Sequence, residues 1–142
     1  MKDLIDLRVH TYYWDQDLNC AVTTLKILGE IFCIELQPQV LEAAIGMPGA
    51  GRFGAQCGLV EGSLMFIGIY GKAKGFEHEH IVAACHRFAS AFQQRFDSLQ
   101  CKDLRPQGFK QGNPPHLCEE KTKTAINFSA SFIAEEIGTY NA

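Results

Sequence analysis

Residues 57–70 read CGLVEGSLMFIGIY, with Gly71 following, and this run decides the fold. It is apolar nearly all round, which fits either a buried strand or a buried helix, and its length favours the helix. Gly58 and Gly62 stand four apart and so share one helical face, where a second helix backbone can approach closely. Upstream lies the glycine-rich stretch Gly46-Met47-Pro48-Gly49-Ala50-Gly51-Arg52-Phe53-Gly54, a loop by composition. A helix apolar on every side needs covering, and a small domain has limited means to do so. Pairing of subunits into a homodimer is therefore expected.

Working outward, Leu18, Ala21, Val22, Leu25, Leu28, Ile31 and Phe32 repeat at helical spacing behind Asp15 and Asp17. This predicts a helix over 15–34 with acidic caps. Pro38 opens a short helix through Ala44, which ends before Pro48. Over 76–96, Ile81, Ala84, Cys85, Phe88, Ala91, Phe92 and Phe96 form a buried stripe dominated by aromatic rings. Residues 99–115 turn to Pro, Gly, Gln and Asn, a long loop of the kind that often carries function. A last helix runs from Pro114 or Pro115 to Ile137 and stops at Gly138. The expected fold is all-α: a single compact helical domain over 1–142, with about five helices and a glycine-rich loop before the central buried one.

The 142 residues suit one domain, and 46% hydrophobic content supplies a core. With 13 basic against 16 acidic residues the chain has no surplus to neutralise phosphates, so nucleic acid is not an expected partner. Charges recur every few residues from Met1 to Arg8, unlike the apolar core of a signal peptide. The longest apolar stretch, 59–70, carries Glu61 and falls short of the roughly 20 residues that span a bilayer. A cytoplasmic protein without a membrane span is expected.

Six cysteines, Cys20, Cys33, Cys57, Cys85, Cys101 and Cys118, exceed ordinary usage. In a reducing compartment they favour metal ligation or reversible thiol chemistry over structural disulfides. No two form a Cys-x-x-Cys pair, so any site is assembled by the fold from distant segments.

Asn19-Cys20-Ala21, the glycine-rich loop leading to Cys57-Gly58-Leu59-Val60-Glu61-Gly62, then Phe92 to Phe96 with Cys101-Lys102-Asp103-Leu104, and finally Cys118 follow one another in a known order. The chain resembles the redox-active proteins named for a C…GCAxxG…C…C signature, over about residues 15–134. The resemblance implies a redox or metal role for Cys20, Cys57, Cys101 and Cys118. One departure is Leu59, where the family pattern has a small alanine after Cys-Gly. Cys33 and Cys85 fall outside the signature and read as buried packing residues on apolar faces.

Chemistry supports attention to these four. Cys57 falls between a glycine-rich loop and a helix start, where free N–H groups and the helix dipole favour a thiolate. Arg52 adds positive potential or is simply solvated. Four thiolates together hold a [2Fe–2S] or [4Fe–4S] cluster or a closed zinc site, while close pairs cycle between dithiol and disulfide. The first expectation is electron transfer or redox sensing through an iron–sulfur cluster ligated by all four, although their spacing matches no ferredoxin. Without a cofactor, Cys57 and Cys20 are the redox thiols, Cys57 as nucleophile, with Cys101 or Cys118 as other resolving thiols. Zinc in a binding domain is the third reading. Any electron-transfer role implies a redox partner protein of unknown identity.

Other candidates carry less. His78 and His80, two apart, point to different sides of a helix. His116 stands beside Cys118 and could supplement it as a ligand. Cys85 and His86 diverge by about 100° on a helix, which prevents a nucleophile pair. The glycine-rich loop lacks the Lys and Ser/Thr of a phosphate-binding loop. Glu119 to Lys123 is a solvated charged face. Phe76, Phe88, Phe92, Phe96, Phe128 and Phe132 read as core.

Overall fold

The computed structural model describes residues 1–139; all regular elements among them are helices, with no strand. In chain order the helices are α1 (Lys2–Trp14), α2 (Cys20–Ile31), α3 (Pro38–Ala43), α4 (Gly49–Arg52), α5 (Gly58–Ala73), α6 (His78–Phe96), α7 (Cys101–Leu104) and α8 (Glu119–Glu136). Five of them are longer than two turns; α3, α4 and α7 are short turns that shape the site.

The run at 57–70 is the helix its length predicts. α5 buries Leu59, Val60, Phe66, Ile67 and Tyr70 and packs against α2, α6 and α8. The glycine face does what its spacing implies. A Cβ at Gly62 would stand 2.8 Å from the Ala21 carbonyl oxygen and 3.0 Å from Thr24 Cβ. Only a hydrogen lets α2 and α5 come this close. α8 lies on another side, where the Ser63 and Ser129 hydroxyls share a 2.8 Å hydrogen bond and so satisfy two buried polar groups. The predicted aromatic stripe of α6 faces α8: Phe88 meets Phe132 at 5.3 Å between centroids, and Phe96 meets Phe128 at 5.7 Å. Edge-to-face geometry of this kind adds to the area that the rings bury.

The N-terminus departs from expectation. Residues 2–14, read only as a charged segment, form α1, which buries Ile5, Val9, Tyr12 and Tyr13 against α8 and α2. Its presence moves the start of the next helix. Asp15 closes α1, Asp17 holds a left-handed φ of 50°, and the residue that caps α2 is Asn19, whose side chain accepts the Val22 N–H at 2.9 Å. At the far end α2 stops at Ile31 rather than 34. Cys33 then takes φ 55° and is exposed, not buried as expected. α8 likewise begins at Glu119, one turn later than its prolines suggest, because His116 sits at φ 57°. No helix among the described residues is long and apolar enough to cross a membrane.

Candidate functional site

The glycine-rich loop is held in an unusual winding. Four consecutive residues, Gly49, Ala50, Gly51 and Arg52, have positive φ of 61°, 54°, 68° and 66°. Alanine and arginine take this conformation at a cost of about 1–2 kcal/mol each. The loop returns hydrogen bonds to itself, from Gly54 N–H to Gly49 O at 3.0 Å and from Arg52 N–H to Pro48 O at 3.0 Å. Its exit then lies antiparallel to the start of the long loop. Gln56 bridges Gln100, Cys57 N–H donates to Leu99 O at 2.8 Å, and Cys101 N–H donates to Ala55 O at 2.6 Å. Local pairing of residues 54–57 with 99–102 thus sets Cys57 beside Cys101.

Cys20 arrives from the other side. A Cβ on Gly58 would overlap the Cys20 sulfur and stand 2.9 Å from the Pro48 ring, so this glycine makes the space in which that thiol sits. Gly49, held at φ 61°, lies against Cys101, whose Sγ would be in ordinary contact with an added Cβ at 3.4 Å. Cys118 comes from the start of α8. All four line one cavity of about 650 Å³, together with Tyr13, Leu59, Arg105, Phe109 and His116. Each thiol also stands where a helix begins: Cys20 and Cys101 are first residues, Cys57 and Cys118 N-caps.

Placement at a helix start does not make Cys57 a thiolate. The Leu59 and Val60 N–H groups favour the anion, as expected, but burial outweighs them and the thiol is pushed up to about 11. Cys57 is only 6% exposed. Burial also raises Cys20 well above its usual value, helped by the charges that Cys57, Cys118 and Cys101 would carry. Cys101 is raised by burial and by Cys118, against which Arg105 pulls down. The buried thiols are therefore protonated at neutral pH. Cys118 is half-buried, and the Arg105 guanidinium approaches its Sγ at 4.0 Å. Cys20 is half-buried as well, but Cys118 has Arg105 beside it and is better placed to meet a reagent than buried Cys57, to which the sequence assigns that role.

A single metal ion needs three or more donors around one point, whereas cluster ligands are spread over several irons. Among the described residues no group of three or more His, Cys, Asp or Glu stands as a ready site for a single ion. His116 does reach the cavity, but its ring stacks on Tyr13 at 4.7 Å and its Nε2 lies 3.2 Å from Asp17. His78 is exposed beside Glu79, and His86 is exposed on α6. Cys85 is half-buried and packs toward the Leu64 carbonyl, in keeping with a packing role. Arg52 lines the cavity.

Sequence reasoning missed Tyr13, Arg105 and Lys121 in this lining. Tyr13 sits 3% exposed, and burial followed by the Cys20 charge raises its hydroxyl well above the usual range. That hydroxyl shares a 2.7 Å hydrogen bond with Thr122. The signal for it was the pattern of Ile5, Val9, Tyr12 and Tyr13 at helical spacing.

The model of the family described as "Putative redox-active protein (C_GCAxxG_C_C)" matches residues 18–132, a span that contains all four cavity cysteines. No curated protein and no solved structure matches the chain.

Proposed function

Because the chain belongs to this redox-active family with a four-cysteine signature, we propose that it is a two-electron thiol–disulfide carrier. One observation carries the reading: thiols from four separate elements line a single cavity, and all four are free. Two neighbouring thiols give up two protons and two electrons to an acceptor disulfide and become a disulfide themselves; a donor dithiol reverses the step. Burial of Cys57 and Cys101 as protonated thiols, with Cys20 half-buried behind them, limits their reaction with solvent oxidants until a partner thiol is engaged. An iron–sulfur cluster or zinc held by the same four cysteines is the competing reading. It is favoured by Cys20 feeling all three others, and it requires the four side chains to close around the metal.

The test is differential alkylation with mapping of each cysteine, on protein purified without oxygen, in reduced and mildly oxidised samples. At least two of Cys20, Cys57, Cys101 and Cys118 are expected to become unreactive on oxidation and to recover with reductant, while exposed Cys33 alkylates throughout. Equal alkylation of all four in both samples would sink the proposal. Stoichiometric iron with sulfide, or zinc, in the same preparation would replace it with the metal reading.

A further inference from the structure

The chain carries a net charge of −3, yet its thiol cavity has the opposite sign. Arg52, Arg105, Lys110 and Lys121 line it, against one carboxylate, Asp17, whose partner is His116 at 3.2 Å. Among the described residues none of these four cations has an ion-pair partner. Elsewhere Lys2, Arg8, Arg87 and Lys123 each hold a carboxylate. Two of the four are held in place, while Arg52 and Lys110 are exposed at the rim. Arg105 Nε donates to Gly108 O at 2.7 Å and its guanidinium lies 4.3 Å over the Phe109 ring, which aims it at Cys118. Lys121 Nζ donates to Leu104 O at 2.6 Å. Unneutralised cations held around a recess raise the local concentration of anions.

Resting on the thiol–disulfide reading, we infer that the cavity's substrate is a small anionic disulfide, with carboxylates that meet Arg105 and Lys110 and a sulfur that meets Cys118. The volume of about 650 Å³ is that of a small-molecule site. In the step, Cys118 gives up its proton and its sulfur attacks one sulfur of the substrate, the S–S bond breaks, and one half leaves as a thiolate that takes up a proton. A second cavity thiol, Cys101, which lines the same recess as Cys118, loses its proton and attacks Cys118 Sγ. The second half then leaves, so that two cysteine thiols are oxidised to one disulfide and the substrate is reduced to two thiols.

The experiment follows oxidation of the fully reduced protein by three disulfides of similar size: dithiodipropionate (two carboxylates), hydroxyethyl disulfide (neutral) and cystamine (two ammonium groups). The dianion is expected to react faster than the dication by about tenfold or more at low salt, with the ratio shrinking as salt is raised. In Arg105→Gln/Lys110→Gln the ratio falls toward one. Arg105 also braces its own loop, so Lys110→Gln alone is measured beside it, and a reduced ratio in either variant supports the inference. Equal rates for the three probes, a faster dication, or a ratio unchanged in both variants overturns it. Oxidation by none of the three removes the thiol–disulfide reading itself and the inference with it.

Discussion

Between α6 and α8, phenylalanine rings meet that were each placed by the periodicity of their own helix. At the cavity four sulfurs meet, and no helix period places any of them relative to another. The first region is built from many interchangeable contacts spread along two long helices. The second depends on single backbone events: a glycine under a sulfur, a hydrogen-bonded pairing at Gln56 and Gln100, a run of positive φ. One region should therefore govern stability, and the other should govern chemistry with a smaller share of stability.

The largest test of that division is Phe92→Ala. Phe92 is fully buried, and its loss should cost about 3–5 kcal/mol in chemical denaturation. The folded fraction should still oxidise its cavity thiols at the normal rate; a variant that folds but no longer cycles would show that the two regions are coupled. Alkaline pH sharpens the contrast from the other side. Cys57 is protonated in folded and unfolded protein below pH 9, so its contribution is complete there and is lost as pH rises from 9 through about 11. Cys20, Cys101 and Tyr13 are pushed the same way. For Cys57 alone the loss is about 2–3 kcal/mol, and Cys57→Ser should flatten the upper limb of the stability–pH curve. A curve unchanged by that variant would mean that its burial is not felt. Smaller in stability is Gly58→Ala, about 1–3 kcal/mol from overpacking against Cys20 and Pro48. Its redox effect should be the greater: Cys20 leaves the cavity and alkylates in the native protein. Normal protection of Cys20 in that variant would contradict the close approach.

The same division explains what the sequence makes legible. α6 follows from its apolar period, α5 from the length of its apolar run and α8 from its flanking prolines and Gly138, and the aromatic seam is legible because packing repeats locally. α1 escapes notice since charges at Lys2, Asp3, Asp6 and Arg8 surround its buried Ile5 and Val9. Missing it misplaces the start of α2 and hides Tyr13. The four signature cysteines are legible as a set through the family pattern, but their electrostatics are not. The sequence shows Cys57 at a helix start and not the burial that overrides the dipole. Arg105 and Lys121 join the cavity only because residues 99–102 fold back on 54–57, a pairing that no local period announces.

That fold-back has a consequence at the ribosome. Cys20 and Cys57 leave the exit tunnel before Cys101 and Cys118 exist, and at roughly 5–20 residues per second the gap between Cys20 and Cys118 is on the order of ten seconds. For that interval the nascent chain has one to three of its four signature thiols and lacks the part of the cavity wall that residues 104–121 supply. A reducing environment during synthesis would keep those early thiols unpaired until the later residues cover them.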